Sequence, residues 1–331
     1  MILISNEHIY PPDGSSCHAS SFAILPNGDI FAVWFRGSAE GNPDVCIFGA
    51  RRSGEKWSEP VRLTADDGVP HWNPVAQVMP DGKLRVYYKK GIATGCWRTE
   101  YIDSEDGGIS FGPSLEAVPG DRSGGRGPVR NKIAVLSDGS LLAPGSIEYD
   151  GWKCFADRSE DGGKTWSRGA DIVIPPADLR PSVPPDETRR GLIQPVFFED
   201  PERPGRVVAF MRSTEGFIYR AESRDFGRTF GEAAATKLKN NNSAIDLDRS
   251  PDGRLFLVCN PTGVPEGKIW GKRTPLSVFV SYDLGESFEK LTDIAAGDGT
   301  FAYPCVRFFC GRLYITYTVN RLMINFVCLE P

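Results

Sequence analysis

An eight-residue pattern occurs four times in this chain: Ser104-Glu-Asp-Gly-Gly-Ile-Ser-Phe111, Ser159-Glu-Asp-Gly-Gly-Lys-Thr-Trp166, Ser223-Arg-Asp-Phe-Gly-Arg-Thr-Phe230 and Ser281-Tyr-Asp-Leu-Gly-Glu-Ser-Phe288. Each copy reads Ser-x-Asp-x-Gly-x-Ser/Thr-aromatic. A fifth, degraded copy, Arg52-Ser-Gly-Glu-Lys-Trp57, lacks the Asp. The closing aromatics fall at 57, 111, 166, 230 and 288, so the steps are 54, 55, 64 and 58 residues. A repeat of that length is too long for a helical-pair solenoid and suits a four-stranded propeller blade.

A second periodic feature agrees. Gly-centred turns between apolar runs end at Gly28, Gly82, Gly139, Gly205, Gly253 and Gly311. Asn-Gly and Asp-Gly favour hairpins because Gly accepts the positive φ such turns require. β-Formers follow, as in Ile30-Phe-Ala-Val-Trp34 and Leu313-Tyr-Ile-Thr-Tyr317. Each unit reads strand, Gly turn, strand, loop, strand, box. The fold class is therefore all-β, a six-bladed propeller of four-stranded antiparallel blades, with residues 1–331 expected as one domain. The boxes read as structural: Asp and Ser/Thr bond backbone N–H groups within a tight turn, and the aromatic packs between sheets. Pro175–Pro185 reads as an irregular insertion, a long surface loop or a lid, that explains the 64-residue step.

Apolar residues at 40 % supply a core, and Gly 36 and Pro 26 suit a fold of many turns. A net charge of −5, with no Lys/Arg-rich run, argues against nucleic acid or an anionic membrane as partner. No stretch approaches membrane-spanning length, and the N-terminal residues lack the signal-peptide pattern, so the expected location is cytoplasmic. Eight scattered Cys, no Cys-x-x-Cys and three His give no metal site, and no cofactor is expected. The cysteines read as reduced, small core residues.

In a propeller the first strand of each blade lines the central channel and opens at one face. About nine residues before each turn Gly, those strand starts hold Cys17-His18-Ala19, His71-Trp72-Asn73, Arg130-Asn131-Lys132, Gln194-Pro195, Asn241-Asn242-Ser243 and Tyr303-Pro304. Polar groups converging on one axis suit a small polar ligand. The far ends of the second strands add Arg36, Lys89, Lys90, Glu148, Arg212, Asn260 and Arg321, and loops add Glu40, Trp152 and Arg273. This locally basic mouth points to an anion, most simply a carboxylate, because guanidinium grips carboxylate bidentately. Trp34, Trp72, Trp97 and Trp152 are candidates either for stacking on sugar faces or for packing between blades.

The boxes, blade count and inner-ring residues together resemble the sialidase (neuraminidase) superfamily, in its bacterial-type BNR/Asp-box branch, over nearly the whole chain. That family holds a sugar carboxylate with an arginine triad and uses a tyrosine nucleophile assisted by glutamate, with an aspartate acid/base. By this resemblance Arg212 and Arg273 look like the second and third arginines, and Tyr303 like the nucleophile. Three positions depart: His18 stands at the first arginine, Gln194 at the assisting glutamate, and Glu40 is nearest by spacing to the acid/base. Gln accepts no proton, and a tyrosine phenol ordinarily titrates near ~10, so another group has to assist. Arg130, Asp246, Glu148 and His18 are the candidates.

Three functions remain open. One is a sialidase-like exo-glycoside hydrolase on an acidic sugar, with catalytic candidates Tyr303, Glu40, His18, Gln194 and Asp246, and binding candidates Arg212, Arg273, Arg130, His71, Asn73, Lys89, Glu148, Trp152 and Asn242. Another is a polysaccharide lyase acting beside a uronate, with His18, His71 or Tyr303 as base. The third is a propeller that binds carbohydrate without turnover. Any acidic sugar satisfies two arginines, and the sequence names no protein partner.

Overall fold

Alternating β-formers separated by Gly turns leave each strand pair one short hairpin to make, and the chain makes it repeatedly. The computed structural model describes residues 1–184 and 187–331. Among them, six antiparallel sheets succeed one another around a ring. The first blade comprises Ser16–Ile24, Ile30–Gly37, Cys46–Ser53 and Lys56–Trp57, with Val61–Arg62 also on its third strand. The second comprises His71–Val78, Leu84–Lys90, Arg98–Ser104 and Leu115–Glu116. The third comprises Ala134–Val135, Leu141–Ile147, Lys153–Ser159 and Ser167–Arg168. The fourth comprises Leu192–Glu199, Val207–Ser213, Phe217–Ser223 and Ala234–Lys239. The fifth comprises Asp246–Arg249, Leu255–Cys259, Leu276–Ser281 and Glu289–Ala295. The sixth joins Phe301–Phe309, Arg312–Val319 and Met323–Glu330 to Ile2–Tyr10, so the ring closes by pairing the two ends of the chain.

The core is a set of wedges rather than one centre. Phe31, Phe35 and Ile47 of the first blade pack with Ala76 and Val86 of the second. Val196 and Phe210 of the fourth pack with Leu247 and Leu257 of the fifth. At the closure, Phe22 and Trp34 of the first blade meet Ile324 and Phe326 of the sixth.

The boxes staple these wedges. In the copy at 281–288, Ser281 Oγ donates to Asp283 (2.8 Å), and Asp283 accepts from the Ser287 N–H (2.9 Å) and its hydroxyl (2.6 Å). The same bonds recur at Asp106, Asp161 and Asp225. The closing aromatic then packs toward the preceding blade: Phe111 lies against Phe31, Phe288 meets Phe210 edge-on, and Phe230, stacked on Phe197 of its own blade, joins the wedge that holds Leu142 of the third. Trp57 of the degraded copy does the same against Phe326, so the aromatic keeps its place without the Asp.

Two expected inner strands begin later than their register suggests. The third blade pairs only at Ala134–Val135, not from Arg130, and the fifth begins at Asp246, not at Asn241. The third-blade side chains are instead drawn across the axis to the sixth blade. Arg130 donates to the carbonyls of Tyr303 (2.7 Å) and Pro304 (2.8 Å), and Lys132 donates to that of Val306 (3.0 Å).

The segment from Pro175 is irregular apart from one 3₁₀ turn at Pro176–Asp178; its last expected residue, Pro185, lies outside the described residues. Arg180 fastens it by donating to the carbonyls of Thr214 (2.7 Å) and Lys268 (2.9 Å), and Arg190 pairs with the buried Glu215. All eight cysteines are free thiols. Among the described residues no helix is long and apolar enough to cross a membrane.

Candidate functional site at the mouth of the ring

The inner strands share a local device that builds the mouth. Ala19, Asn73, Gln194 and Tyr303 each adopt positive φ (56°, 42°, 54° and 58°). Each lies at a register shift of its strand, between His18 and Ser21, Trp72 and Val75, Ile193 and Val196, or Ala302 and Cys305. Asn242, just before the fifth inner strand, has φ 61°. An extra residue in one strand bends it and re-aims a side chain, as bulges beside functional sites do. A left-handed conformation outside Gly is strained, and such strain persists only where the surroundings enforce it.

Tyr303 is the centre of the group that results. Arg212 Nη1 donates to its phenol oxygen (3.3 Å) and to Gln194 Oε1 (3.1 Å), while Arg212 Nε donates to Asn242 Oδ1 (3.1 Å). The Arg273 guanidinium lies 5.6 Å from the Tyr303 ring centre and that of Arg130 lies 5.2 Å away. Arg212 and Arg273 therefore lie beside the same tyrosine ring. Neither makes an ion pair among the described residues, although Arg212 is only 2 % exposed. A buried guanidinium without an acidic partner is costly, and groups held at such cost cluster at functional sites. Burial and the neighbouring Arg212 and Arg321 push Arg273 below its ordinary value, against Tyr303 and Glu40.

Beyond Arg212, Gln194 Nε2 donates to Glu148 Oε1 (2.7 Å). Glu148 needs a donor, so the Gln194 carbonyl faces Arg212. Burial raises the Glu148 carboxyl above its ordinary range, while Arg212, the Gln194 and Ser146 hydrogen bonds and Lys89 pull it down. Two indoles wall the other side: Trp152 and Trp270 meet edge-on at 5.6 Å, each 5.5 Å from the Arg212 guanidinium. Trp270 is half-exposed and escaped the sequence reading; its one signal is a place three residues before Arg273. Asn242 Nδ2 donates to the Ile269 carbonyl (2.8 Å) and Asn241 Nδ2 to that of Lys272 (2.6 Å), so the asparagines hold the loop bearing Trp270 and Arg273.

Other expected members stand elsewhere or act differently. His18 packs on Tyr303 with ring centres 4.1 Å apart, but both its nitrogens are buried without a hydrogen-bond partner. Burial first, then Arg321, Arg273, Arg130 and Arg212, hold its pKa well below the usual histidine range. His18 is thus packed beneath the tyrosine with no hydrogen-bond partner through which to pass a proton. His71 bonds Thr64 (2.8 Å) and packs on Tyr88, with burial and Lys90 lowering it to about 4, so it is not placed as a base for the Tyr303 group. Asp246 is engaged by Lys132 (2.7 Å) and by the Val306 N–H (2.8 Å), and no hydrogen bond among the described residues joins it to the Tyr303 phenol. Arg130 supports the Tyr303 backbone from below.

Lys89 is buried, donates to Thr99 Oγ1 and the Arg126 carbonyl (both 2.6 Å), and is lowered by burial to about 7. No hydrogen bond among the described residues ties Lys89 or Asn73 to the Tyr303 group. Arg36 pairs with Asp13 and Lys90 with Asp67, so neither extends the cationic group. Asn260 donates to the carbonyls of Pro275 and Phe301. Trp34 is fully buried in the closing wedge, and Trp97 packs on Trp72. Glu40 stands on the rim, paired with Arg321.

Solved structures share this ring. A protein of unknown function from Dyadobacter fermentans DSM 18053 superposes with TM-score 0.78 at 17 % identity, covering 99 % of this chain and 98 % of that one. The Hadza microbial sialidase Hz136 gives 0.78 at 17 %, over 98 % of this chain and 68 % of its own. The Trypanosoma rangeli sialidase in complex with the inhibitor DANA gives 0.70 at 14 %, over 98 % and 59 %. At these identities the likeness is one of fold. No curated protein matches the sequence. Residues 28–310 match the BNR repeat-like domain, and with that match spanning most of the ring and its boxes, the chain belongs to the BNR repeat-like family.

Proposed function

We propose that the chain is a sialidase-like glycoside hydrolase acting on an acidic, carboxylate-bearing sugar. One observation carries the reading: Arg212 and Arg273, both without an acidic partner among the described residues, stand beside a single tyrosine. Paired guanidiniums in a partly desiccated site bind a carboxylate far more strongly than the same groups in water. The sugar carboxylate lies across them, which sets the anomeric carbon near the Tyr303 oxygen. Trp270, half-exposed, offers an apolar face to the sugar, with Trp152 buried behind it. Glu40, parted from Arg321 and protonated from solvent, gives its proton to the leaving oxygen as the glycosidic bond breaks, while Tyr303 stabilises the oxocarbenium-like state or attacks it, its phenol proton passing to water. The fold likeness to a sialidase in complex with DANA supports this class of ligand.

The test is Tyr303→Phe. Turnover of an aryl sialoside should fall by at least ~10²-fold, with binding of the free acidic sugar near wild type. Equal turnover by the variant overturns the mechanism.

A second reading, carbohydrate binding without turnover, is favoured by Gln194, whose amide links Glu148 to Arg212 and accepts no proton. Saturable binding across acidic glycans with no product would select it. An unsaturated uronate product would instead identify elimination.

A further inference from the structure

Arg321 differs from its neighbours. Arg212 and Arg273 have no acidic partner among the described residues, whereas Arg321 is ion-paired with Glu40. The pair joins the last blade to the first and is partly exposed, with side-chain exposures of 38 % and 33 %. Its two halves are anchored unequally.

Arg321 stands on a fixed base. It occupies a left-handed position (φ 58°) in the turn between Arg312–Val319 and Met323–Glu330, and its carbonyl accepts from the Cys17 N–H (2.8 Å). The Glu40 loop is stapled at its root, where Asp44 accepts from the Ser38 N–H (2.7 Å) and hydroxyl (2.8 Å). The Glu40 carboxylate itself is held by Arg321. Side-chain rotation alone therefore parts the two, and an exposed ion pair contributes little to stability.

Arg321 also stands close to the Tyr303 group: its carbonyl accepts from the N–H of Cys17, the neighbour of His18, whose ring packs on Tyr303 at 4.1 Å. It is the foremost of the arginines acting on His18, and both it and Glu40 act on Arg273.

We propose that Arg321 is exchanged between Glu40 and the ligand: the carboxylate of an incoming acidic sugar takes over Arg321 and releases Glu40 to the rim. This inference rests on reading the pocket as an acid-sugar site. It adds a specificity rule to that reading. A neutral sugar brings nothing to displace Glu40, so the rim carboxyl is freed only when a carboxylate has docked. Glu40 is then an internal competitor in the empty site and a free carboxyl group in the occupied one.

The test is calorimetric titration of N-acetylneuraminate and of glucuronate into the whole protein, with the methyl ester of each as a neutral control. Glu40 is exposed, so Glu40→Gln should fold as wild type, which its thermal midpoint checks. Glu40→Gln should bind the free acids roughly threefold tighter or more, and the esters unchanged; Arg321→Ala should bind the acids roughly fivefold weaker or more. The Glu40→Gln gain should vanish in the Arg321→Ala background, since the competition needs both partners. Unchanged or weaker acid binding by Glu40→Gln, or a gain that persists without Arg321, overturns the exchange. In that event Arg212→Ala decides the wider reading. Loss of binding keeps the acid-sugar pocket; wild-type binding removes it. Failure of every variant to bind either acid overturns both.

Discussion

Burial decides what a single histidine does with a proton. His71 lies between Thr64 and Tyr88 and is lowered to about 4 by burial and Lys90, against the pull of Asp67 and Glu100. Its folded value lies below the unfolded value of ~6.5. Above that value both states are neutral and the contribution to stability is complete. As pH falls from ~6.5 toward 4 the unfolded chain takes the proton first, and up to ~3 kcal/mol is lost. Unfolding free energies of wild type and His71→Gln from urea titration should therefore converge by that amount between pH ~7 and ~4. A constant difference across the range would show that the ring is not held neutral. Sequence placed His71 and His18 at the mouth by register, and register is indifferent to which way a side chain turns. The bulges were half-legible: Asn73, Gln194 and Tyr303 each precede a proline, and a residue before proline avoids the right-handed helical region.

At the scale of the element, the box is a turn that locks one blade onto the one before it. Its Gly is required twice over. Gly285 has φ 82°, and a Cβ there would sit 2.4 Å from a ring carbon of Phe210. Gly285→Ala should cost ~2–4 kcal/mol from backbone strain plus overpacking. Gly253→Ala, in a hairpin with φ 92° and open space around it, should cost ~1 kcal/mol from the backbone alone. Urea denaturation of both variants checks the difference, and equal costs would mean that the box Gly serves only the turn. The boxes were readable because every bond in them spans at most four residues. The third inner strand was misread for the opposite reason. Arg130 and Lys132 bond to carbonyls more than 170 residues away, and that pull outweighs local strand pairing.

The whole molecule is held by closure. Ile2–Tyr10 pairs with Met323–Glu330 and covers Ile324, Phe326 and Cys328, which lie in the wedge shared with the first blade. Each wedge draws on two blades, so residues 1–331 are proposed to unfold as one unit. Calorimetry should give one transition whose calorimetric and van't Hoff enthalpies agree; two resolved transitions would divide the chain. Removing residues 2–10 should open an apolar edge, lower the thermal midpoint and bring on aggregation. A monomeric variant of unchanged midpoint would show that the ring closes without them. Closure also sets the site, because it brings Arg321 of the last blade to Glu40 of the first.

Repeat period, hairpin turns and box chemistry depend on neighbours a few residues apart, so the amino-acid order alone determined six blades of four strands. It also named Arg212, Arg273 and Tyr303. Only the closed ring decided that these three meet, that His18 is buried without a hydrogen-bond partner, that Asp246 is engaged and that Trp270 joins them. Charge interactions and desolvation depend on separation and burial in space, and distance along the chain carries neither.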